Sequence, residues 1–248
     1  EPISISSETT FAKFDFPQPE ELSPPIVNIE NASVGYEEKT VLSDINLRID
    51  QDDRIAILGQ NGEGKSTLSK LIANKLKPHV GKIIHSNKLR IGYFAQHQLD
   101  ELTLNETPMD HVHRERPSEK QGQIRARLDG FGISVDQADT RVKSLSGGQK
   151  ARLSLLLASL DAPHLLILDE PTNHLDIESR EALVEALTKY SGAVIIVSHD
   201  IHLLSLVADR LWLAKNGTVK PYQYDLETYR KSLLSVVSSK KQGQLSPP

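Results

Sequence analysis

The sequence of 248 residues contains no cysteine, one methionine, one tryptophan and only 5% aromatic residues. Without cysteine, a disulfide framework, a thiolate metal site and a cysteine nucleophile are all excluded, which fits a reducing compartment such as the cytoplasm. Long hydrophobic runs are also missing. The most apolar stretches, 165–168 and 193–197, are far shorter than the roughly 20 residues that a membrane-spanning helix needs. We therefore expect a cytoplasmic protein without direct membrane insertion.

The charge balance is mildly acidic, with 29 Lys and Arg against 33 Asp and Glu. This balance argues against a protein whose whole surface binds nucleic acid. Basic residues exceed acidic ones between 111 and 152, and we interpret them as a solvated helical face rather than a nucleic-acid-binding patch. Three histidines could suggest a metal site, but without cysteine nearby they are interpreted as exposed polar residues: His97, His111 and His113.

Composition divides the chain into three parts. Residues 1–25 combine Ser and Thr with five prolines, which predicts a disordered or extended linker remnant with few residues that could pack. Residues 26–238 are predicted to fold as one domain, and 239–248 to form a disordered tail. Because the first residue is not methionine and no signal peptide is recognisable, we expect this chain to be a piece of a longer protein.

Apolar runs alternate with helical patterns through the predicted domain. Such continuous apolar strands, separated by helices, indicate a parallel sheet covered on both faces. Residues from 97 to about 157 interrupt this pattern with charged and polar residues at helical spacing, and we interpret them as a helical insertion. Strands are predicted at 26–29, 41–49, 54–58, 83–85, 89–94, 164–168, 193–198, 210–214 and 218–222, and helices at 147–160, at 178–190 and from Gly64 onward.

Residues 59–66 read GQNGEGKS and fit the pattern G-x-x-x-x-G-K-[ST] between a strand and an amphipathic helix. In such a loop, backbone N–H groups and the helix N-terminus bind phosphate, Lys65 reaches the β- and γ-phosphates, and Ser66 ligates Mg²⁺. A glycine-rich turn with a capping serine is the alternative, which the strand and helix context disfavours. Glu63 is unusual in an anion-binding loop, so we expect its side chain to point to solvent.

Two further segments carry candidate site residues. The apolar run 165–168 ends in Asp169 and Glu170, at the strand edge where ligands bind in such sheets. Asp169 is expected to hold Mg²⁺ through water, and Glu170 to orient and deprotonate the attacking water. Residues 145–149 read LSGGQ and open a helix, which predicts a second anion site. An ordinary N-cap would explain Ser146, but not two glycines inside a helix, where each costs about 1 kcal/mol.

The order of these motifs, followed by the segment VSHD at 197–200, resembles the nucleotide-binding domain of the ATP-binding cassette (ABC) superfamily over roughly residues 26–222. The resemblance implies an α/β P-loop NTPase fold with a mixed, mainly parallel sheet, an antiparallel β subdomain and an inserted helical subdomain. It implies ATP and Mg²⁺ as ligands, with Tyr36 stacking on adenine, Gln96 touching Mg²⁺ and the lytic water, and His199 contacting the γ-phosphate. It also implies that 173–176 crosses a dimer interface.

The residue assignments that follow fall into three sets. Glu170, His199 and Gln96 are the expected catalytic residues, and Ser66, Gln96 and Asp169 the expected metal contacts. The expected nucleotide contacts are Tyr36, Gly59, Asn61, Gly62, Gly64, Lys65, Ser66, Thr67 and Asp169 for one ATP, and Leu145, Ser146, Gly147, Gly148 and Gln149 for another.

In this superfamily two cassettes meet head to tail, with each ATP between the P-loop of one and the LSGGQ segment of the other. The resemblance therefore implies a second cassette as partner and an ATPase that is weak or inactive as an isolated domain. A nucleotide-binding module without turnover is a further alternative, which the retention of Lys65, Asp169, Glu170 and His199 disfavours.

The segment 171–176, which reads PTNHLD, is similar to the ABC-F family of tandem-cassette proteins that act on the ribosome. Transporter ATPases usually read SALD at this place, and the energy subunit of a membrane transporter is the alternative interpretation. The C-terminal segment 222–229 also resembles the ABC-F pattern, although Gln223 stands where glycine is typical. A second departure is Ile201, which follows SHD at 198–200 where arginine is typical. The resemblance implies an upstream cassette in the same full-length chain and, for that longer protein, contacts with the ribosome and tRNA.

Overall fold

The structure is a computed structural model that describes residues 12–242, with side chains up to residue 235. Its strands are β1 (Val27–Tyr36), β2 (Lys39–Ile49), β3 (Arg54–Leu58), β4 (Val80–His85), β5 (Ile91–Ala95), β6 (Leu165–Asp169), β7 (Ala193–Val197), β8 (Arg210–Lys215) and β9 (Thr218–Pro221). Its α-helices are α1 (Lys65–Ile72), α2 (Pro108–Glu115), α3 (Gln121–Gly130), α4 (Val135–Ala138), α5 (Gly147–Ser159), α6 (Ile177–Lys189), α7 (Ile201–Val207) and α8 (Leu226–Gln242). Short 3-10 helices occupy Gln96–Leu99 and Val142–Ser144.

The strands form two sheets. The larger has the order β5-β6-β7-β3-β8-β9, and its neighbours run parallel except for the antiparallel pair β8 and β9. The smaller is antiparallel, in the order β2-β1-β4. The predicted fold class, a mixed and mainly parallel sheet with an antiparallel β subdomain, is confirmed. Within the described residues, the segment 97–157 contains helices and no strand.

Two hydrophobic cores lie on opposite faces of the larger sheet. Because side chains alternate along a strand, β6 sends Leu165 and Ile167 into one core and Leu166 and Leu168 into the other. The first core is closed by α1 and the smaller sheet, and the second by α5, α6 and α7. A strand that is buried on both faces explains the continuous apolar run in the sequence.

The described part of the N-terminal segment, residues 12–25, packs against the domain, whereas we expected few residues there that could pack. Phe14 and Phe16 are buried, and the Phe16 ring lies 5.5 Å from that of Phe131 and 6.0 Å from that of Tyr190. The Asp15 N–H also donates to the Gly130 carbonyl at 2.9 Å. Residues 12–25 form neither helix nor strand. The burial of the two phenylalanine rings stabilises the packing of this segment on the domain. Residues 1–11 lie outside the described residues.

Replacing Phe16 with leucine should lower the free energy of unfolding by about 2 kcal/mol, because three buried carbons are removed at roughly 0.8 kcal/mol each. Chemical denaturation followed by circular dichroism measures this change. Glu21→Ala is the control, since Glu21 is exposed in the same segment and its loss should change stability by less than about 0.5 kcal/mol. Equal stabilities of the Phe16 variant and the unmodified chain would show that the segment does not contribute to folding.

The C-terminal end also departs from expectation. A disordered tail was predicted from residue 239, but α8 continues through Gln242, and the sequence analysis did not predict this helix. Asp225 begins it, since its carboxylate accepts a hydrogen bond from the Thr228 N–H at 2.8 Å. The remainder of the predicted tail, 243–248, lies outside the described residues.

Candidate nucleotide site

The loop between β3 and α1 is shaped by glycines. Gly62 and Gly64 have φ values of +86° and +93°, a conformation that glycine adopts readily. A Cβ atom on Gly64 would lie 2.7 Å from Cδ2 of Leu42, so a larger residue would require Leu42 to shift. Gly64 is also the N-cap of α1 and makes no side-chain cap hydrogen bond. The first N–H groups of α1 therefore remain available to an anion.

Lys65 and Ser66 follow this loop and have different partners. The Lys65 ammonium donates to the carbonyls of Gly59 and Gln60, at 2.5 and 3.2 Å. Burial lowers the pKa of Lys65, while the carboxylates of Glu170 and Asp169 oppose that shift. The Ser66 hydroxyl donates to Oδ2 of Asp169 at 2.7 Å. A hydroxyl and a carboxylate from two elements thus converge, and such hard oxygen donors suit Mg²⁺.

Glu170 and His199 meet because β6 and β7 are neighbours in the sheet and both end at its carboxyl edge. Nε2 of His199 lies 3.5 Å from Oε1 of Glu170 and 3.1 Å from Oδ1 of Asn61. Burial raises the pKa of Glu170, and His199 opposes the shift. Glu170 also has a φ of +52°, an uncommon conformation for a residue other than glycine, and its N–H donates to the Val197 carbonyl at 2.7 Å. This backbone bond holds the side chain at the cleft.

Tyr36 lies at the end of β1, beside α1, with 42% of its surface exposed. The Lys70 ammonium lies 5.3 Å from the centre of its ring and 3.3 Å from its hydroxyl. Thr67 contacts the same hydroxyl at 3.5 Å. An exposed aromatic ring beside the phosphate-binding loop is placed where a base could stack on it.

One cleft of about 730 Å³ is lined by most of the nucleotide contacts expected for the first ATP, together with two of the expected catalytic residues. Its lining includes Tyr36, Asn61, Gly62, Gly64, Lys65, Ser66, Thr67, Asp169, Glu170 and His199. Gly59 lines an adjoining cavity, together with Asn61 and Lys65. The sequence analysis missed Arg180, which also lines the cleft and donates from Nε to the Leu175 carbonyl at 3.1 Å. The sequence could have indicated Arg180, because it lies four residues after Asp176, on the first turn of α6.

Two residues have surroundings other than those expected. Gln96 is not among the described residues that line the cleft; its Oε1 accepts a hydrogen bond from the Asn173 amide at 3.0 Å. Glu63 does not simply point to solvent, because its carboxylate accepts a hydrogen bond from the Asn216 N–H at 2.9 Å. The turn between β8 and β9 therefore holds this carboxylate, which explains how an acidic residue is accommodated in the loop.

The LSGGQ segment lines a different cavity. Ser146 caps α5: its hydroxyl accepts from the Gln149 N–H at 3.2 Å, and the Gln149 side chain accepts from the Ser146 N–H at 2.9 Å. Cβ atoms on Gly147 and Gly148 would lie 3.1 and 3.0 Å from His174 atoms, so close packing accounts for two glycines at this helix start. Leu145 is buried.

Ser146, Gly148 and Gln149 line a separate cavity of about 360 Å³, and its lining shares no residue with the 730 Å³ cleft. The structure therefore divides the expected nucleotide contacts into two groups that line two cavities. One chain presents a phosphate-binding loop at the first cavity and a capped helix start at the second.

The three candidate metal-binding histidines do not form a metal site. Among the described residues, no group of three or more His, Cys, Asp and Glu is placed to hold a metal ion. We expected His111 to be exposed, but its side chain is buried, with only 5% of its surface accessible. Its Nε2 accepts a hydrogen bond from the Thr103 N–H at 3.0 Å, so Nδ1 carries the proton and donates to the Thr107 carbonyl at 2.8 Å. These two bonds fix the loop that precedes α2.

Comparison with known proteins places the chain in a family. A family model described as ABC transporter matches residues 42–173, which is more than half of the sequence. The chain belongs to the ABC family. Within the part that the structure describes, no helix of this ABC domain is both long and apolar enough to cross a membrane.

Curated relatives of this ABC domain include members of the F branch. "Probable ATP-binding protein YheS" of Escherichia coli K12 is 43% identical over 95% of the chain. "Protein GCN20" of Saccharomyces cerevisiae is 40% identical over 89%, and "ABC transporter F family member 4" of Arabidopsis thaliana is 41% identical over 89%. The resemblance to ABC-F proteins is confirmed. The chain spans only 37%, 30% and 32% of these three relatives.

Solved structures share the fold at lower identity. The bacterial ABC transporter cassette MJ0796, solved as a dimer, has a TM-score of 0.68 and 24% identity, with 78% of this chain and 96% of that chain covered. A bacterial Atm1-family ABC exporter with ATP bound has a TM-score of 0.73 and 21% identity, with 96% of this chain and 45% of that chain covered. These similarities establish the ABC fold.

Proposed function

We propose that this domain binds Mg-ATP and hydrolyses it at the interface with a second ABC cassette, as one ATPase module of an ABC-F type protein. The observation that carries the proposal is the separation of the two groups of nucleotide contacts. Lys65, Ser66, Asp169 and Glu170 line one cleft, whereas Ser146 and Gly148 line another cavity. A single chain therefore offers half of each of two sites, and a head-to-tail pair would complete them.

Each residue of the cleft has a defined task in this proposal. The glycine loop and the start of α1 bind the phosphates through N–H groups, and Lys65 moves its ammonium from the loop carbonyls to the terminal phosphates. Ser66 and Asp169 would hold Mg²⁺, which supplies charge neutralisation for the phosphates when bound. Tyr36 supports the adenine.

Glu170 acts on the attacking water in this proposal. Its carboxylate accepts a hydrogen bond from the water, orients it toward the γ-phosphate and takes its proton. His199, 3.5 Å away, contacts the γ-phosphate and stabilises the charge that develops there. The raised pKa of Glu170 is appropriate for a general base, because a stronger base accepts a proton more readily.

The proposed setting is translation on the ribosome, in the cytoplasm. The F-family relatives support it, and their greater length leaves room for a second cassette in the same chain. Contacts with the ribosome and tRNA are proposed for that longer protein. The isolated domain should hydrolyse ATP weakly, because it lacks the partner's LSGGQ segment.

The composite site can be tested with Ser146→Arg. The variant should bind Mg-ATP as the unmodified chain does, because Ser146 lies outside the cleft. In the two-cassette protein it should lower ATP turnover by about half or more, since this LSGGQ segment serves one of two sites. Isothermal titration calorimetry measures binding, and phosphate release measures turnover.

Ser144→Arg is the matched control, because Ser144 is exposed and precedes the LSGGQ segment. Its turnover should equal that of the unmodified protein. The proposal of a composite site fails if Ser146→Arg abolishes ATP binding by the isolated chain, or if it leaves the turnover of the two-cassette protein unchanged. Lack of saturable Mg-ATP binding by the unmodified chain would refute the proposed function itself.

A further inference from the structure

The C-terminal helix contacts the phosphate-binding loop through one tyrosine. Asp225 caps α8, because its Oδ1 accepts from the Thr228 N–H at 2.8 Å and its carbonyl accepts from the Tyr229 N–H at 3.2 Å. This cap fixes the first helical turn and directs Tyr229 inward. Tyr229 is 8% exposed, whereas its neighbours Thr228 and Arg230 are exposed. The cap thus sets the orientation of one aromatic side chain.

The Tyr229 hydroxyl accepts a hydrogen bond from the Gly59 N–H at 3.0 Å, although 170 residues separate the two in the sequence. Gly59 is the first residue of the loop and has a φ of +149°. A Cβ atom at this position would lie 2.6 Å from the Ala214 carbonyl, so the backbone of Gly59 is closely confined by β8. Tyr229 therefore binds the N–H group at the point where β3 becomes the loop.

Gly59 is held from its other side by the phosphate-binding lysine. Its carbonyl accepts a hydrogen bond from the Lys65 ammonium at 2.5 Å. The N–H group of one glycine thus contacts Tyr229, and its carbonyl contacts Lys65. Because both bonds restrain Gly59, a change in the position of Tyr229 also moves the Gly59 carbonyl that accepts from Lys65.

The surroundings of Tyr229 favour such a transmission. Its ring lies 6.1 Å from that of Tyr222, in an edge-to-face arrangement, and Leu226 and Leu233 pack on the core from the same face of α8. A cavity of about 370 Å³ lies between α8 and the loop, lined by Gly59, Tyr229 and Leu233 among others. Since side chains do not fill this space, the hydroxyl bond is a direct link across it.

We propose that Tyr229 is a positioning residue for the phosphate-binding loop and couples helix α8 to nucleotide binding. The hydroxyl holds Gly59 in the conformation that keeps the loop open to phosphate. Because coupling between two sites is reciprocal, bound ATP in turn stabilises α8 against opening. This inference rests on the proposed function, in that it assumes that the cleft binds ATP.

The test compares Tyr229→Phe with Tyr222→Phe. Both changes remove one hydroxyl and keep the ring, but among the described residues the structure shows no hydrogen bond from the Tyr222 hydroxyl. Tyr229→Phe should weaken Mg-ATP binding by about three- to tenfold, the effect of one lost hydrogen bond, and Tyr222→Phe should leave it unchanged. Isothermal titration calorimetry with the chain gives both dissociation constants.

Amide hydrogen exchange provides a readout that a merely structural role would not change. In the unmodified chain, ATP should slow exchange in α8 and at the Gly59 amide; in Tyr229→Phe, the ATP-dependent protection of α8 should be lost. In the two-cassette protein, KM for ATP should rise while kcat stays within about twofold.

The outcomes separate this inference from the proposed function. If the unmodified chain binds ATP but α8 gains no protection, the coupling is refuted, whatever the stability of the variant. Equal ATP affinity of Tyr229→Phe and the unmodified chain also overturns it. If the unmodified chain does not bind ATP, the proposed function fails first.

Discussion

Replacing Glu170 with glutamine is expected to lower ATP hydrolysis by about 10²–10⁴-fold and to leave ATP binding intact. Glutamine keeps the size of the side chain and can still orient a water molecule, but it cannot accept a proton. The Glu170 backbone is held by a 2.7 Å bond from its N–H to Val197, and the substitution does not alter that bond. The loss should therefore affect kcat much more than binding.

The same substitution should trap the ATP-bound pair of cassettes, because binding closes the interface and hydrolysis opens it. Since both ATP sites share that interface, the trapped pair should stop turnover at the second site as well. Phosphate release by the two-cassette protein measures the loss of turnover, and size-exclusion chromatography or cross-linking of the two cassettes with ATP measures the closed state. Glu178→Gln is the matched control, since Glu178 is exposed on the first turn of α6. Turnover of Glu170→Gln within about threefold of the unmodified protein would contradict the assignment of Glu170 as general base.

Most of the first cleft could be predicted from the sequence because its residues lie at strand ends. Lys65 follows β3, Asp169 ends β6, and His199 follows β7. The carboxyl ends of parallel strands share one edge of a sheet, so the strand pattern alone brings these residues together. The exact partners were not predictable, because Gln96 pairs with Asn173 and Glu63 with Asn216 through loop conformations that no periodicity specifies.

Other features depend on contacts between distant segments. Phe14 and Phe16 lie in a proline-rich stretch that lacks helical or strand periodicity, and they are buried only because Phe131 and Tyr190 offer an aromatic surface. His111 stands among charged residues, so local polarity predicted exposure, whereas two backbone groups satisfy both of its ring nitrogens. In each case the information lies in tertiary packing rather than in the local sequence.

The second prediction with a large effect concerns Lys65. Lys65→Ala should weaken Mg-ATP binding by about 10–100-fold, because it removes a charged donor that would bind the terminal phosphates. Alanine favours the helix, so α1 should remain folded. Lys65 lines the same cleft as Asp169 and Glu170, so its positive charge lies close to where the phosphates would bind.

Lys77→Ala is the control, because Lys77 is exposed beyond the end of α1 and outside the cleft. Calorimetric titration with Mg-ATP should give unchanged affinity for this control and the stated loss for Lys65→Ala. If the glycine loop and the start of α1 alone bound the nucleotide, the two variants would have equal affinity, and the role of Lys65 would be disproved. A loss confined to Lys65→Ala would instead mean that the loop N–H groups need a full positive charge beside them, because helix-end dipoles neutralise only part of the charge of a triphosphate.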